Sequence, residues 1–278
     1  MAENLAALLE QRFGASVDVP PELADLEELM HAAGHRSHRK FTADPIPPAW
    51  TETLLACALS APSKSDLQQL CVVRVEDASK RAAVAGLVPS LEWLPSAPLL
   101  LIFCGDSRRI RRICTLRERT FANDHLDAMF NASVDAALVM MNFIRVARAA
   151  GLGCCPISMV RDRAADLSRL LELPDGVFPV AGMAAGFPAG PAPLSPRLPM
   201  SLTVHTDRYD DSKLEHEVDG YDARRSATQP IASDKQRDTL HYGVQESYGW
   251  SEDKARQVSR PARADFGRYL REHGFRLD

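Results

Sequence analysis

Hydrophobic positions along the chain follow two spacings. Apolar residues three to four positions apart predict helices over residues 5–13, 23–30, 49–59, 77–86, 125–150 and 164–171. Short apolar or β-branched runs predict strands over residues 71–75, 98–104, 154–158 and 178–185. Because strands alternate with helices, the pattern predicts an α/β (α+β) sandwich in which helices flank a central mixed sheet.

Two segments of this pattern carry further information. The run from Pro98 to Cys104 is unbroken and apolar, which is typical of a strand that is buried on both faces. Apolar positions surround most of the helix from His125 to Ala150, so this helix is expected at the centre of the fold or in an interface.

The pattern changes at both ends of the chain. Residues 1–30 form a predicted helical extension, and residues 31–207 form the predicted core. Residues 208–278 are more polar and predict a helical C-terminal arm that wraps the core or a partner subunit, with a loop-rich middle from Arg224 to His241.

Composition excludes several classes of protein. The 278 residues are 45% hydrophobic and 25% charged, which is typical of a globular protein. A net charge of -4 provides no field of one sign for nucleic acid or a membrane surface, and no uncharged apolar run approaches the roughly 18 residues of a membrane span. Six scattered cysteines indicate neither zinc nor a disulfide framework and, without a signal peptide, predict a cytoplasmic protein.

The chain lacks the common catalytic motifs. It has no G-x-S-x-G, H-E-x-x-H, P-loop or G-x-G-x-x-G pattern, so a bound cofactor is the remaining source of chemistry. Arg36 and Arg39, with Ser37 between them, offer donors suited to a phosphate dianion, although a solvated basic turn has the same composition. Two other polar segments are Ala61 to Gln68, between a helix and a strand, and Ser195 to Pro199, where Arg197 lies between two prolines.

In their order along the chain, these segments resemble the flavin nitroreductases. The matching segments are His35 to Phe41, Pro45-Ile46, Ala61 to Gln68, His125 to Gly153, Ile157-Ser158, Leu173-Pro174 to Pro179-Val180, Gly186-Phe187-Pro188 and Pro196 to Pro199. Near the C-terminus, Trp250-Ser251-Glu252 and Ser259-Arg260-Pro261 resemble the NADPH-preferring, oxygen-insensitive nitro/flavin reductase subgroup. The resemblance covers the chain from about residue 30 to its end.

The resemblance implies a homodimer with two FMN molecules at the subunit interface. It assigns His35, Arg36, Ser37, Arg39 and Arg197 to the phosphate of FMN. It assigns the following residues to the isoalloxazine ring, the first four coming from the other subunit: Ser63, Lys64, Ser65, Gln68, Pro156, Ile157 and Ser158. The last three would lie at the N5 edge, where a backbone N–H polarises the atom that accepts hydride.

The implied reaction is a ping-pong transfer of hydride from NADPH or NADH, through flavin N5, to a small electrophilic acceptor. No side chain is therefore assigned a catalytic role. The candidates for contact with the nicotinamide nucleotide or the acceptor are Asp66, Glu92 and Arg225. Arg225 belongs to a set of basic residues in the C-terminal arm, which comprises Arg224, Arg225, Lys235 and Arg237. These residues are expected either to bind the 2′-phosphate of NADPH or to be solvated.

Three departures from the subgroup bear on the reaction. Ser195 stands where a lysine is usual, which removes one phosphate partner, and Glu92 stands near the position of a usual glutamine. Asp66 replaces an aromatic residue and would either donate a proton or cap a helix. These departures leave two alternatives open: an FMN enzyme with a specialised reaction (reductive dehalogenation, enone reduction or metabolite oxidation), or a non-enzymatic flavin-binding or storage protein.

Overall fold

A computed structural model describes residues 4–278 of the chain. The residues separate into two compact units. One unit contains the residues up to 35 together with residues 193–262, and the other contains residues 36–192 together with 263–278. The predicted division at residues 30 and 207 stays a prediction about the roles of these segments.

Four strands form one sheet in the described part of the chain. They are β1 (Leu70–Arg74), β2 (Leu99–Asp106), β3 (Gly153–Ile157) and β4 (Val177–Gly186). Their order across the sheet is β1-β2-β4-β3, and every neighbouring pair is antiparallel. An isolated parallel bridge joins Ser37 to Cys154 in β3, so the sheet is mixed only at that edge.

The helices between residues 4 and 278 agree with the predicted periodicity except over residues 23–30, where two short helices are separated at Asp25 and Leu26, and further short helices occur in the connecting segments. In chain order they are α1 (Leu5–Phe13), α2 (Pro21–Ala24), α3 (Glu27–Ala33), α4 (Pro48–Leu59), α5 (Ala78–Leu87), α6 (Arg108–Leu116), α7 (Leu126–Ala149), α8 (Ala164–Leu170), α9 (Leu214–Thr228), α10 (Thr239–Tyr242), α11 (Trp250–Val258) and α12 (Phe266–Glu272).

Helices cover both faces of the sheet, which confirms the predicted sandwich. On one face, α7 packs against β2 and α4 packs against α7, and Phe103 of β2 contacts Phe143 of α7 edge to face at 6.1 Å. On the other face, Val84 of α5 and Leu167 of α8 join Ile102 in a second buried cluster. Every residue of β2 is buried, as its unbroken apolar run predicts.

Helix α7 has two different apolar sides. The side towards the sheet is fully buried and includes Ala132, Ala136 and Phe143. The opposite side is apolar but exposed, and its residues are Leu126, Phe130, Val134, Leu138 and Met141. In the described residues, α7 alone has the length and hydropathy of a membrane span, but its packing on the sheet is that of a core helix.

The last residues of the chain return to the sheet-containing unit. The rings of Phe178 and Phe275 meet edge to face at 5.0 Å, and the Tyr269 hydroxyl lies 2.6 Å from the Ser168 hydroxyl. The His273 carbonyl accepts a hydrogen bond of 2.8 Å from the Gly176 N–H. The final helix therefore completes the core beside β4.

In the other unit, buried arginines tie loops to helices. The Arg12 guanidinium, 5% exposed, donates to the carbonyls of Ala33 and Ser195 at 2.8 and 2.7 Å. The expectation of a loop from Arg224 was wrong for its first residues, because α9 continues to Thr228. Its last turn is anchored by Arg225, which donates to the Tyr221 hydroxyl at 3.1 Å.

Candidate active site

The predicted phosphate-binding segment lies along the edge strand β3. Ser37 forms its parallel bridge with Cys154, and the His38 N–H donates to the Cys154 carbonyl at 3.0 Å. This close approach requires the glycine at 153, because a Cβ there would lie 2.6 Å from the His38 ring. The segment continues beside Phe187 and Ala189, which bond to Thr42 and Lys40.

This edge of the sheet is electropositive. Burial lowers the pKa of His38 below its ordinary value, and the charges of Arg148 and Arg36 lower it further. Burial raises the pKa of Cys155, an effect that the neighbouring Arg39 guanidinium partly offsets. A phosphate dianion suits such a surface, since an anion relieves the repulsion among its cations.

The predicted N5-edge residues follow on the same strand. Pro156 is exposed, Ile157 is buried and ends β3, and Ser158 is exposed at the start of a short 3₁₀ turn. Arg36, Ser37 and Arg39 are thus brought to the same edge of the sheet as residues 156–158.

The predicted ring-binding loop lies at the opposite edge of the sheet. Ser63, Lys64, Ser65 and Gln68 come directly before β1, and all but the half-buried Ser63 are exposed. A cavity of about 810 Å³ adjoins this loop, with Ser63, Gln68, Cys71 and Arg109 in its lining. Within one chain, this loop and the residues at β3 lie at opposite edges of the sheet, separated by β2 and β4.

Sequence reasoning missed two side chains that hold this loop. The Asp135 carboxylate in α7 is fully buried and accepts hydrogen bonds from the N–H groups of Lys64 and Gln69 at 3.0 and 2.9 Å. Arg109 in α6 donates to the carbonyls of Gln68 and Leu70 at 2.7 and 3.0 Å. A carboxylate in phase with the buried alanines of α7 was the available signal for Asp135.

The other candidate residues have these positions. Asp66 accepts a hydrogen bond of 3.0 Å from the Gln68 side chain, and Glu92 is exposed in the turn before Trp93. In the other unit, His35 accepts through its carbonyl from Arg12, and Arg197 is exposed, with its N–H donating to the Arg12 carbonyl at 2.7 Å.

The basic candidates of the C-terminal arm differ in their contacts. Arg224 donates to the carbonyls of Phe13 and Arg197 and lies over the Tyr221 ring. Arg237 forms an ion pair with Asp253 at 3.1 Å. Lys235 is largely exposed and lies 3.7 Å from the Asp234 carboxylate.

Among residues 4–278, no group of three or more His, Cys, Asp or Glu side chains is arranged to hold a metal ion. What the sheet-containing unit does present is a cationic strand edge and a separate, tightly held polar loop. A cationic edge of this kind is compatible with an anionic organic cofactor.

Comparison with known families agrees with this class. The Nitroreductase family model matches residues 32–187, and the model of the Nitroreductase family C-terminal domain matches residues 195–278. The first match covers more than half of the chain. The chain therefore belongs to the nitroreductase family, which confirms the resemblance seen in its motifs.

Individual relatives cover most of the chain. The oxygen-insensitive NADPH nitroreductase of Salmonella typhimurium is 32% identical over 244 residues, which are 87% of this chain and 95% of the relative. The FMN reductase (NAD(P)H) of Bacillus subtilis is 30% identical over 203 residues, which are 72% and 82% of the two chains.

Solved structures have the same fold. Nitroreductase A from Vibrio parahaemolyticus gives a TM-score of 0.78 at 29% identity, over 89% of this chain and 97% of that chain. The NADPH:FMN oxidoreductase from Vibrio harveyi complexed with NAD+ gives 0.76 at 29% identity, with the same coverage of both chains. The predicted α+β sandwich is thus the nitroreductase fold.

Proposed function

We propose that this chain is an FMN-dependent oxidoreductase that takes hydride from NAD(P)H and reduces a small electrophilic acceptor, namely a nitroaromatic, a quinone or a flavin. The observation that carries the proposal is the basic segment Arg36–Arg39 bridged to β3, next to residues 156–158 at the end of that strand. The names of relatives that match the chain along most of its length support the cofactor and the donor.

The residues fit FMN by charge and by hydrogen-bonding capacity. Arg36, Ser37 and Arg39 would hold the phosphate, and His35 and Arg197 are proposed to take part. When bound, FMN supplies the hydride chemistry at its N5 atom. The backbone of residues 156–158 would orient the N5 edge, and the residues proposed to lie along the ring are Ser63, Lys64, Ser65 and Gln68.

The separation of these groups supports a homodimer. β1 and β3 are three strand spacings apart, about 14 Å, with helices on both faces between them. A second copy that brings its 63–68 loop to the β3 edge would complete the site. The exposed apolar side of α7, which includes Phe130, Val134 and Leu138, is the proposed contact between copies.

The acceptor side of the site is proposed from the remaining candidates. The hydrogen bond from Gln68 to Asp66 favours a structural role for this carboxylate within the loop over proton donation. Exposed Glu92 is available to contact an acceptor. Arg225 donates to the Tyr221 hydroxyl and Arg237 pairs with Asp253, whereas Lys235 is largely exposed, and we propose Lys235 as the contact for a 2′-phosphate.

We place the enzyme in the cytoplasm. All six cysteines have free thiols, and Cys71 lies directly opposite Cys104 across β1 and β2. Thiols in such a neighbouring pair persist where the surroundings are reducing.

An anaerobic stopped-flow measurement tests the proposed function. FMN-loaded protein is mixed with NADPH and, separately, with NADH while the flavin absorption band is followed. We expect rapid bleaching with at least one nucleotide, and recovery of the band when a nitroaromatic or quinone is added. Binding of FMN without bleaching by either nucleotide would instead favour a storage protein or an enzyme that is reduced by its own substrate.

A variant at the strand edge links this activity to the proposed site. We expect Arg39→Ala to weaken FMN binding by about tenfold, because one charge-assisted contact to phosphate is lost. Lys213→Ala, in the other unit, removes an exposed lysine to which no role in binding is assigned, and serves as the control. Equal FMN affinity of Arg39→Ala and wild type would contradict the phosphate assignment.

A further inference from the structure

The loop between α4 and β1 has an unfavourable backbone conformation. Ser65, Asp66 and Gln68 have φ angles of 52°, 55° and 50°, in the left-handed region. Residues with a Cβ atom avoid this region, and none of the three is glycine. Contacts from outside the loop must therefore stabilise it.

One set of contacts comes from Asp135, in the middle of α7. Its Oδ1 accepts from the Lys64 N–H at 3.0 Å, and its Oδ2 accepts from the Gln69 N–H at 2.9 Å. These two amides lie on either side of the left-handed residues. A single buried carboxylate thus fixes both ends of the strained stretch.

The second set comes from Arg109 in α6. One guanidinium nitrogen donates to the Gln68 carbonyl at 2.7 Å and another to the Leu70 carbonyl at 3.0 Å. Asp106 holds the same guanidinium at 2.9 Å, and its own N–H donates to the Gln69 carbonyl at 2.9 Å. The planar fork of arginine presents a separate nitrogen to each carbonyl, a geometry that the single ammonium nitrogen of lysine does not reproduce.

We propose that Asp135 and Arg109 are positioning residues that hold the 63–68 loop in the conformation in which it contacts the flavin ring. The inference rests on the proposed function, since it takes this loop to be the ring-binding element. Neither residue belongs to the basic segment at β3. Their replacement therefore changes recognition of the ring and leaves recognition of the phosphate intact.

The test measures the affinities for FMN and for riboflavin, which lacks the phosphate. In Asp135→Asn, an amide NH₂ faces one of the two backbone N–H groups. We expect both affinities to fall by about tenfold, with the FMN-to-riboflavin ratio unchanged. Arg109→Lys keeps the charge but loses the fork and is expected to act in the same direction.

Spectroscopy gives a readout that general loss of stability does not move. We expect the absorption band of bound FMN to be displaced in both variants. The midpoint potential of the flavin is expected to become more negative, because Lys64, the cation of this loop, is held less firmly beside the ring. Arg39→Ala is expected to lower the ratio of FMN affinity to riboflavin affinity, which distinguishes it from the two positioning variants.

Matched controls come from the same two helices. Asp127→Asn changes an exposed carboxylate of α7, and Arg112→Lys changes an exposed arginine of α6. Both are expected to bind FMN and riboflavin as wild type does. Circular dichroism verifies that each variant is folded. If Asp135→Asn does not fold, Arg109→Lys alone tests the positioning role.

The outcomes separate this inference from the proposed function. Wild-type affinities and an unaltered flavin spectrum in folded Asp135→Asn or Arg109→Lys would overturn the positioning role alone. A fall in the FMN-to-riboflavin ratio in either variant would also overturn it, since the effect then extends to the phosphate. A wild-type protein that binds no FMN would overturn the proposed function, and this inference with it.

Discussion

His38 is a half-buried histidine whose ring contacts the strand edge at Gly153. Burial and the charges of Arg148 and Arg36 lower its pKa in the folded protein below the ordinary value of 6.5. The folded state thus disfavours the protonated ring. Full stability is present above pH 6.5 and is progressively lost as the pH falls below that value.

Replacement of His38 should therefore weaken the acid sensitivity of the fold. We expect His38→Gln, which cannot be protonated, to lose less stability than wild type between pH 7.5 and pH 5.5. Urea unfolding at the two pH values measures the difference. His216→Gln, in the other unit, is the control. Equal losses in His38→Gln and wild type would show that protonation of His38 does not oppose folding.

At the scale of single residues, the sequence indicated which charged side chains are candidates for anion binding. It did not indicate which groups a buried polar side chain contacts. Arg36 and Arg39 were predicted to bind phosphate from their charge and spacing, and their segment lies along β3; the phosphate assignment itself stays a prediction. The role of Asp135 depends on two backbone amides more than sixty residues away. No local pattern encodes such a pairing.

Among the elements, α12 makes a buried contact whose contribution to the free energy of unfolding can be measured directly. The Tyr269 hydroxyl lies 2.6 Å from that of Ser168, both residues are buried, and burial raises the pKa of Tyr269 to about 12. We expect Tyr269→Phe to lower the free energy of unfolding by about 1–2 kcal/mol, because Ser168 is left unpaired.

Urea unfolding of Tyr269→Phe checks this value. Tyr209→Phe removes a hydroxyl from a ring that is 75% exposed and should leave the unfolding midpoint unchanged. If both variants unfolded at the wild-type midpoint, the contact between Tyr269 and Ser168 would contribute less to the free energy of unfolding than its geometry indicates.

Helices and strands were predicted well where a single spacing of hydrophobic residues dominates the segment. The predicted bounds of all four strands lie within two residues of the observed bounds. A short apolar run between helices is typical of a buried strand in a sandwich, so its type and position were clear from the sequence. The end of α9 was missed, since Arg224 and Arg225 look like loop charges. In the structure they bind Phe13, Arg197 and Tyr221, contacts that extend the helix.

For the whole molecule, the proposed homodimer makes a direct prediction. Phe130 is 61% exposed on the outer side of α7, next to Val134 and Leu138. We expect Phe130→Glu to give a monomer in analytical ultracentrifugation and to lose FMN, because the two groups of site residues then no longer meet.

The control for this experiment changes an equally apolar surface elsewhere. Leu240 in α10 is fully exposed, and Leu240→Glu should remain dimeric and retain FMN. A wild-type protein that binds FMN as a monomer would contradict the proposal that two chains form the site. The exposed apolar side of α7 would then serve a role other than contact between two copies of the chain.

The packing of residues 266–278 beside β4 affects how the protein folds during its synthesis. Phe178 is synthesised nearly a hundred residues before Phe275, its aromatic partner, and the whole of residues 193–262 lies between them. On the ribosome, this apolar surface stays uncovered until residues 266–278 have emerged. Termination of translation before residue 266 would thus leave this apolar surface exposed and favour aggregation of the nascent chain over a merely shortened enzyme.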